Sequence, residues 1–419
     1  MRILYNVLLG ILFPIGLAVI AVKARRQTGH ADSTAERLGY VEKSPAGPVL
    51  WVHASSVGEM QAGVPLVKAL LAEYPDKHIV VTSFTASGVR RARAAFGDEV
   101  QVTPLPYDLP PFNRRFLNRI RPQALIVLET EIWPNLYREV AERDIPLLLV
   151  SARITARSVR RYTWLKSLVQ DALAAVRYIG AQSSMDAERF RYMGAEPDKV
   201  HVVGNLKFDI PESAELLEQG RALRGLMFGQ RPVLCAASTR VGEDEVVLEA
   251  FEKLRETHPD TALVIVPRHP ERGVSIVTMS EAAGFRTALR SETENPDGVD
   301  VYVVDTIGEL QAFYAASDAC FVGGSLVPVG GHNLLEPASM GIPVVTGPNH
   351  QNAPDILQAM QASGAVQVVE DAPTLAAAWN RLLGDPVLRD ESGERARSIV
   401  ERNRGTLDAV MKDIASFLS

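Results

Sequence analysis

The chain of 419 residues has only two cysteines, Cys235 and Cys320. That excludes a disulfide scaffold and a cysteine-rich zinc site, and it fits a reducing compartment. No G-x-G-x-x-G lies near the first strand of the body and no Walker loop occurs, so nicotinamide and P-loop chemistry lack their usual signatures. The eight histidines form no H-x-x-x-H pair, and zinc spacing is absent. Positive charge is not in excess: a net charge of −6 argues against a general nucleic-acid binder. What is present is a globular composition, 47% hydrophobic and 22% charged, which excludes collagen-like, low-complexity and wholly disordered chains. The length suits two or three domains, each able to bury a core.

The charge is unevenly spread. Residues 1–40 carry +3, residues 41–205 carry +4, and residues 206–419 carry −13. Ile3 to Val22 is a run of 20 residues without a charge. As a helix it would span roughly 30 Å, the thickness of a bilayer core. Lys23, Arg25 and Arg26 follow it and only Arg2 precedes it, which puts the long remainder on the cytoplasmic side. A cleaved signal peptide would place its charges before a shorter apolar core. A retained anchor over residues 1–26 is therefore expected. No comparable run follows, so the body reads as soluble.

In the body, short β-branched runs alternate with amphipathic stretches. Strands are expected at Val49–His53, His78–Ser83, Val100–Pro104, Ala124–Leu128, Leu147–Ser151, Tyr178–Ala181 and Val200–Val203. The rhythm repeats at Val233–Ala237, Ala262–Pro267, Val301–Val304, Ala319–Val322, Val344–Val345 and Ala365–Val368. Strands separated by helices read as parallel α/β units, here two Rossmann-like domains facing a cleft, 27–205 and 206–419. The last helix can pack back on the first domain. Lys207–Ala214, with Pro211, reads as the linker. Ligands of such sheets bind at the carboxyl ends of the strands.

Six stretches at or near those ends carry chemistry. His53-Ala-Ser55-Ser56-Val-Gly-Glu59 follows the first strand; Glu59 is either a helix-capping carboxylate or a ligand-facing one. Glu129-Thr-Glu131-Ile-Trp133-Pro-Asn135 places two carboxylates two residues apart, which repel unless a cation or a proton intervenes. Ser151-Ala-Arg153-Ile-Thr-Ala-Arg157, running on to Arg160, Arg161 and Lys166, is a solvated basic face or a surface for anionic lipid. Gly204-Asn-Leu-Lys207-Phe-Asp brings a lysine to the junction. Val266-Pro-Arg268-His269-Pro-Glu-Arg272 presents Arg268 and His269, in a salt-bridged turn or toward a phosphate. Gly323-Gly324-Ser325, then Gly330-Gly331-His332-Asn333-Leu334-Leu335-Glu336-Pro337, suits a nucleotide: glycines admit a phosphate to the backbone and Glu336 can accept from a ribose diol.

Taken in order, these motifs resemble those of the 3-deoxy-D-manno-oct-2-ulosonic acid (Kdo) transferases, bacterial enzymes that add Kdo to lipid A precursors. The resemblance covers nearly the whole chain. It implies the GT-B arrangement, with CMP-Kdo as a donor substrate, a lipid A precursor (lipid IVA) as acceptor, and no cofactor or metal. It implies that Glu59 is the general base and that Glu129 and Lys207 stabilise the transition state. Arg268 and His269 would contact CMP, and Ile307-Gly308-Glu309-Leu310 would hold the cytosine. Gly331 and Asn333 to Glu336, with Leu334 and Leu335 between, would take the phosphate and ribose. Ser55, Ser56, Arg153, Arg157, Arg160 and Arg161 are expected at the acceptor and the anionic inner membrane. Arg240 departs from the family pattern, which often has His there. Two other readings stand beside this one: another membrane-associated GT-B nucleotide-sugar enzyme, and a non-catalytic nucleotide-binding scaffold of the envelope.

Overall fold

The strands are short apolar runs because both faces of a parallel sheet are covered by helices. We analysed a computed structural model, which describes residues 5–7, 9–11, 34–129, 131–162, 165–210, 214–293 and 298–418. The first sheet contains β1 (Val49–His53), β2 (His78–Ser83), β3 (Gln101–Pro104), β4 (Ala124–Leu128), β5 (Leu147–Ala152), β6 (Tyr178–Ala181) and β7 (Val200–Val202). Its order is β3-β2-β1-β4-β5-β6-β7, parallel throughout. The second contains β8 (Val233–Thr239), β9 (Ala262–Pro267), β10 (Thr287–Leu289), β11 (Val301–Val303), β12 (Ala319–Val322), β13 (Val344–Thr346) and β14 (Val366–Val368). Its order is β10-β11-β9-β8-β12-β13-β14, again parallel.

In the first sheet the strands run outward from β1 and then cross to its other side; in the second, β9, β10 and β11 lie on one side of β8, with β11 between β9 and β10, before the chain crosses to β12. This makes a topological switch point at β1/β4 in one and at β8/β12 in the other. Loops at the carboxyl ends diverge there and leave a crevice for ligands.

Two units form, Met1–Lys207 with Gly405–Ser419, and Phe208–Arg404. The division falls two residues beyond the expected 205/206. In the first unit, Val410 and Ile414 of the C-terminal helix Thr406–Leu418 join Leu50, Val52, Leu66, Val67 and Ile126 in one buried cluster. The opposite face of that sheet is sealed by Trp51, Phe116, Leu125 and Tyr137.

The expected anchor over Ile3–Val22 lies largely outside the described residues, as do residues 211–213 of the linker. Among the described residues no helix is long and apolar enough to cross a membrane.

Candidate active site

At the first switch point, Ser56 caps the helix Val57–Glu73, its hydroxyl accepting from Glu59 N at 3.3 Å. The Glu59 carboxylate returns the contact, accepting from Ser55 N at 2.7 Å and Ser56 Oγ at 2.9 Å. Helix capping and a ligand-facing carboxylate are thus one arrangement, and each carboxylate oxygen keeps a further lone pair. Gly63 lets this helix lie close to β4: a Cβ there would meet Leu128 Cδ1 at 3.0 Å. Burial pushes the Glu59 carboxyl above its ordinary range, and the charge of Glu129 adds to the shift against the serine hydrogen bonds.

Glu129 ends β4 in a left-handed backbone conformation, φ 56°, which non-glycine residues adopt rarely and chiefly where the surroundings enforce it. Its carboxylate pairs with Lys207 Nζ at 2.7 Å. Glu131 takes the other route: burial first, and then the charge of Glu59, raise its carboxyl to about 7. The repulsion read from the sequence is therefore relieved by a cation at Glu129, and at Glu131 it shows as a carboxyl that holds its proton to higher pH.

Lys207 is held from beneath. Its N–H donates to Asn205 Oδ1 at 3.0 Å, Asn205 Nδ2 donates to Gln182 Oε1 at 3.0 Å, and Gln182 Nε2 donates to Ser151 O at 2.9 Å. Gln182 lies outside every motif singled out from the sequence. Polarity alone could not find it, because its role depends on β5, β6 and the turn after β7 being neighbours.

Ser55 and Ser56 are occupied in holding Glu59. Arg157, Arg160 and Arg161 are exposed on the helix Ala156–Tyr162, which buries none of its residues, while Arg153 is half-buried in the preceding loop. The start of the chain touches this unit as well. Tyr5 OH donates to Asp108 Oδ2 at 3.1 Å and Asn135 Nδ2 donates to Asn6 Oδ1 at 2.7 Å, so Asn135 ties it to the loop that carries Glu131.

In the second unit, the residues around β8/β12 converge. Gly324, Ser325 and Leu326 donate their N–H groups to the buried Glu243 carboxylate at 2.6, 2.9 and 2.9 Å, and Arg240 N donates to it at 2.9 Å. This corrects one expectation: the amides of the first glycine pair do not await a phosphate, because Gly323 N donates to Ala237 O at 2.8 Å and Gly324 N to an internal carboxylate. The second glycine pair stays at the site. Gly331 has φ 73°, and a Cβ there would sit 2.3 Å from His350 Nδ1.

Glu336 lies in the first turn of Leu335–Ser339, and its Oε1 accepts from Asn333 Nδ2 at 3.0 Å. Burial raises its carboxyl, and Arg268 opposes the shift. Leu334 and Leu335 are buried in the apolar core, which leaves a ligand their backbone and not their side chains. Ile307 is 89% exposed beside Gly308, whose φ is 97°. Leu310 packs partly against the core, and Glu309 is clamped by Arg290 at 2.8 Å, which fixes this loop. Arg268 and His269 are exposed at the end of β9.

A carboxylate of raised pKa such as Glu59 can take a proton from a hydroxyl. The second set combines arginines, a diol-accepting carboxylate and an exposed apolar loop, which suits a nucleotide.

The comparisons agree with this division. Residues 32–210 match the family described as 3-Deoxy-D-manno-octulosonic-acid transferase (kdotransferase), and residues 243–399 match Glycosyl transferases group 1. The 3-deoxy-D-manno-octulosonic acid transferase of Haemophilus influenzae is 36% identical, covering 100% of this chain and 99% of that one. That of Bordetella pertussis is 36% identical over 93% and 94% respectively. The crystal structure of Acinetobacter baumannii MurG shares the fold, with TM-score 0.56 at 12% identity over 88% of this chain and 99% of that one. Similarity that runs end to end at this level, through motifs kept in order, settles the family: the chain belongs to the 3-deoxy-D-manno-octulosonic acid transferases, glycosyltransferases that transfer Kdo in lipopolysaccharide biosynthesis.

Proposed function

We propose that the chain moves Kdo from CMP-Kdo to a lipid A precursor, lipid IVA, with inversion. One observation carries the reading: a half-buried Glu59 carboxylate of raised pKa, gripped by Ser55 and Ser56. Glu59 takes the proton of an acceptor hydroxyl, whose oxygen bonds to the anomeric carbon of Kdo. The bond from that carbon to the phosphate oxygen breaks, and CMP leaves with its electron pair. Lys207 holds Glu129 ionised, and that carboxylate opposes the positive charge that develops as the anomeric carbon becomes oxocarbenium-like. Arg268 and the backbone N–H of Asn333 receive the leaving phosphate, since Gly331 N and His332 N already donate to Gly324 O and Gly323 O; Glu336 receives the ribose and the Ile307–Leu310 loop the base.

Mass spectrometry of the product from CMP-Kdo and a tetraacyl lipid A precursor tests this reading, with CMP and UDP as competitors. Addition of Kdo, inhibited by CMP and not by UDP, is expected. A product formed only from a UDP-sugar contradicts it.

The enzyme works at the inner membrane, on its cytoplasmic side, with the uncharged run Ile3–Val22 as its attachment to the bilayer. The uncharged run, the basic cluster behind it and the exposed arginines of Ala156–Tyr162 support that placement. Each basic residue near an anionic surface contributes about 1 kcal/mol. Reversing Arg157, Arg160 and Arg161 to Glu should therefore weaken binding to vesicles containing anionic lipid far more than binding of CMP-Kdo. Equal loss of both would contradict a lipid-facing role.

A further inference from the structure

The second unit holds an arginine whose setting differs from that of its neighbours. Arg272 pairs with Asp244, Arg290 with Glu309 at 2.8 Å, and Arg224 with Asp318 at 2.9 Å. Arg240 and Arg268 have no carboxylate within ion-pair reach among the described residues. The nearest acid to Arg240 in sequence, Glu243, is occupied by the four backbone amides described above.

The Arg240 guanidinium is nonetheless held firmly. Its Nη1 lies 2.7 Å from His269 Nε2, and its Nε donates to His332 Nε2 at 3.3 Å. A guanidinium only donates, so His332 Nε2 accepts from it. His332 fits this: burial and the neighbouring arginines lower its pKa to about 4. The histidines therefore orient Arg240 without neutralising it. His332 takes the Nε–H of the side edge and His269 meets Nη1, so Nη2 and the second N–H of Nη1, at the end of the fork, remain for a ligand with the full charge.

Resting on the donor reading above, we propose that Arg240 grips the carboxylate of the sugar acid in CMP-Kdo. The donor carries two anionic groups, a phosphodiester and the C1 carboxylate of the ulosonic acid, and the site has two guanidinium groups without a counter-charge. Arg268 shares its field with Glu336, the residue assigned to the ribose, and so belongs to the nucleotide side. Arg240 projects from the turn after β8, bonded to His332 of the glycine loop, and takes the second anion. A planar fork matches a carboxylate through two parallel hydrogen bonds, which a point charge cannot do. The residue thereby separates a sugar acid from a neutral sugar on the same nucleotide.

The test is titration calorimetry of the full-length protein in detergent with CMP and with CMP-Kdo. It compares wild type, Arg240→Gln and Arg240→Lys. CMP lacks the sugar carboxylate, so its Kd should stay within about threefold in both variants, which also shows that the pocket has folded. CMP-Kdo should bind roughly 10- to 100-fold more weakly to Arg240→Gln, with part of the loss restored in Arg240→Lys. Equal weakening of both ligands, or weakening of neither, overturns the proposal. Wild type that binds neither ligand overturns the donor reading itself.

Discussion

Glu59→Gln should lower turnover by roughly 10²- to 10⁴-fold, the usual contribution of a general base. The amide is nearly isosteric and its oxygen can still accept from Ser55 N, so the helix cap and the packing of Val57–Glu73 survive. What it cannot do is take a proton. Every residue assigned to the donor lies in the other unit, Phe208–Arg404, so CMP-Kdo affinity should be unchanged. Single-turnover kinetics with calorimetry on the same preparation separates the two. Near-wild-type turnover in the variant would remove Glu59 from the chemistry, and a parallel loss of donor affinity would assign it a structural role.

Glu243→Ala should have the largest effect on the donor site as a structure. The substitution removes a fully buried carboxylate and strands the amides of Arg240, Gly324, Ser325 and Leu326. A hydrogen bond to a charged group contributes about 1.5–3 kcal/mol, and a buried donor left unsatisfied costs about 1–3 kcal/mol. Even with water partly replacing the carboxylate, a loss of at least about 3 kcal/mol is expected locally. Gly323 adds to the effect, since it packs so tightly that a Cβ would meet Glu243 Oε2 at 2.8 Å. Amide hydrogen exchange should show strong protection at Gly324–Leu326 in wild type and its loss in the variant. CMP-Kdo binding should fall with it. Unchanged protection would mean that the loop holds its shape without the carboxylate.

Most of the fold could be read from the sequence because parallel strands advertise themselves. β1, β2, β4, β6, β9 and β12 begin and end where their apolar runs do. β10 was not legible. Thr287-Ala-Leu289 is three residues long, has no β-branched run and lies half-exposed at the sheet's outer position, so nothing but its neighbour β11 defines it. The site was legible where one motif supplies both a residue and its support, as Ser55-Ser56 does for Glu59. It was not legible where support comes from elsewhere in the chain. Gln182 beneath Lys207 is one case. Glu243 is another: it lies in a stretch noted for Arg240, yet its partners are some 80 residues away. The glycine loop misled for the same reason. A chain of glycines signals exposed amides, but it does not reveal that a distant carboxylate already fills them.

The pH dependence of kcat/KM tests the central claim most directly. Glu59 must be ionised to act, and its carboxyl is raised by burial and by Glu129. Activity should therefore be present above that raised pKa and fall as pH drops through it, at a pH above the ordinary glutamate value of about 4.3. Glu131, raised to about 7 partly by Glu59, makes the limb a property of the coupled pair. In Glu59→Gln the residual rate should lose this limb. An acid limb at the ordinary carboxylate value, or the same limb persisting in Glu59→Gln, would contradict Glu59 as the base.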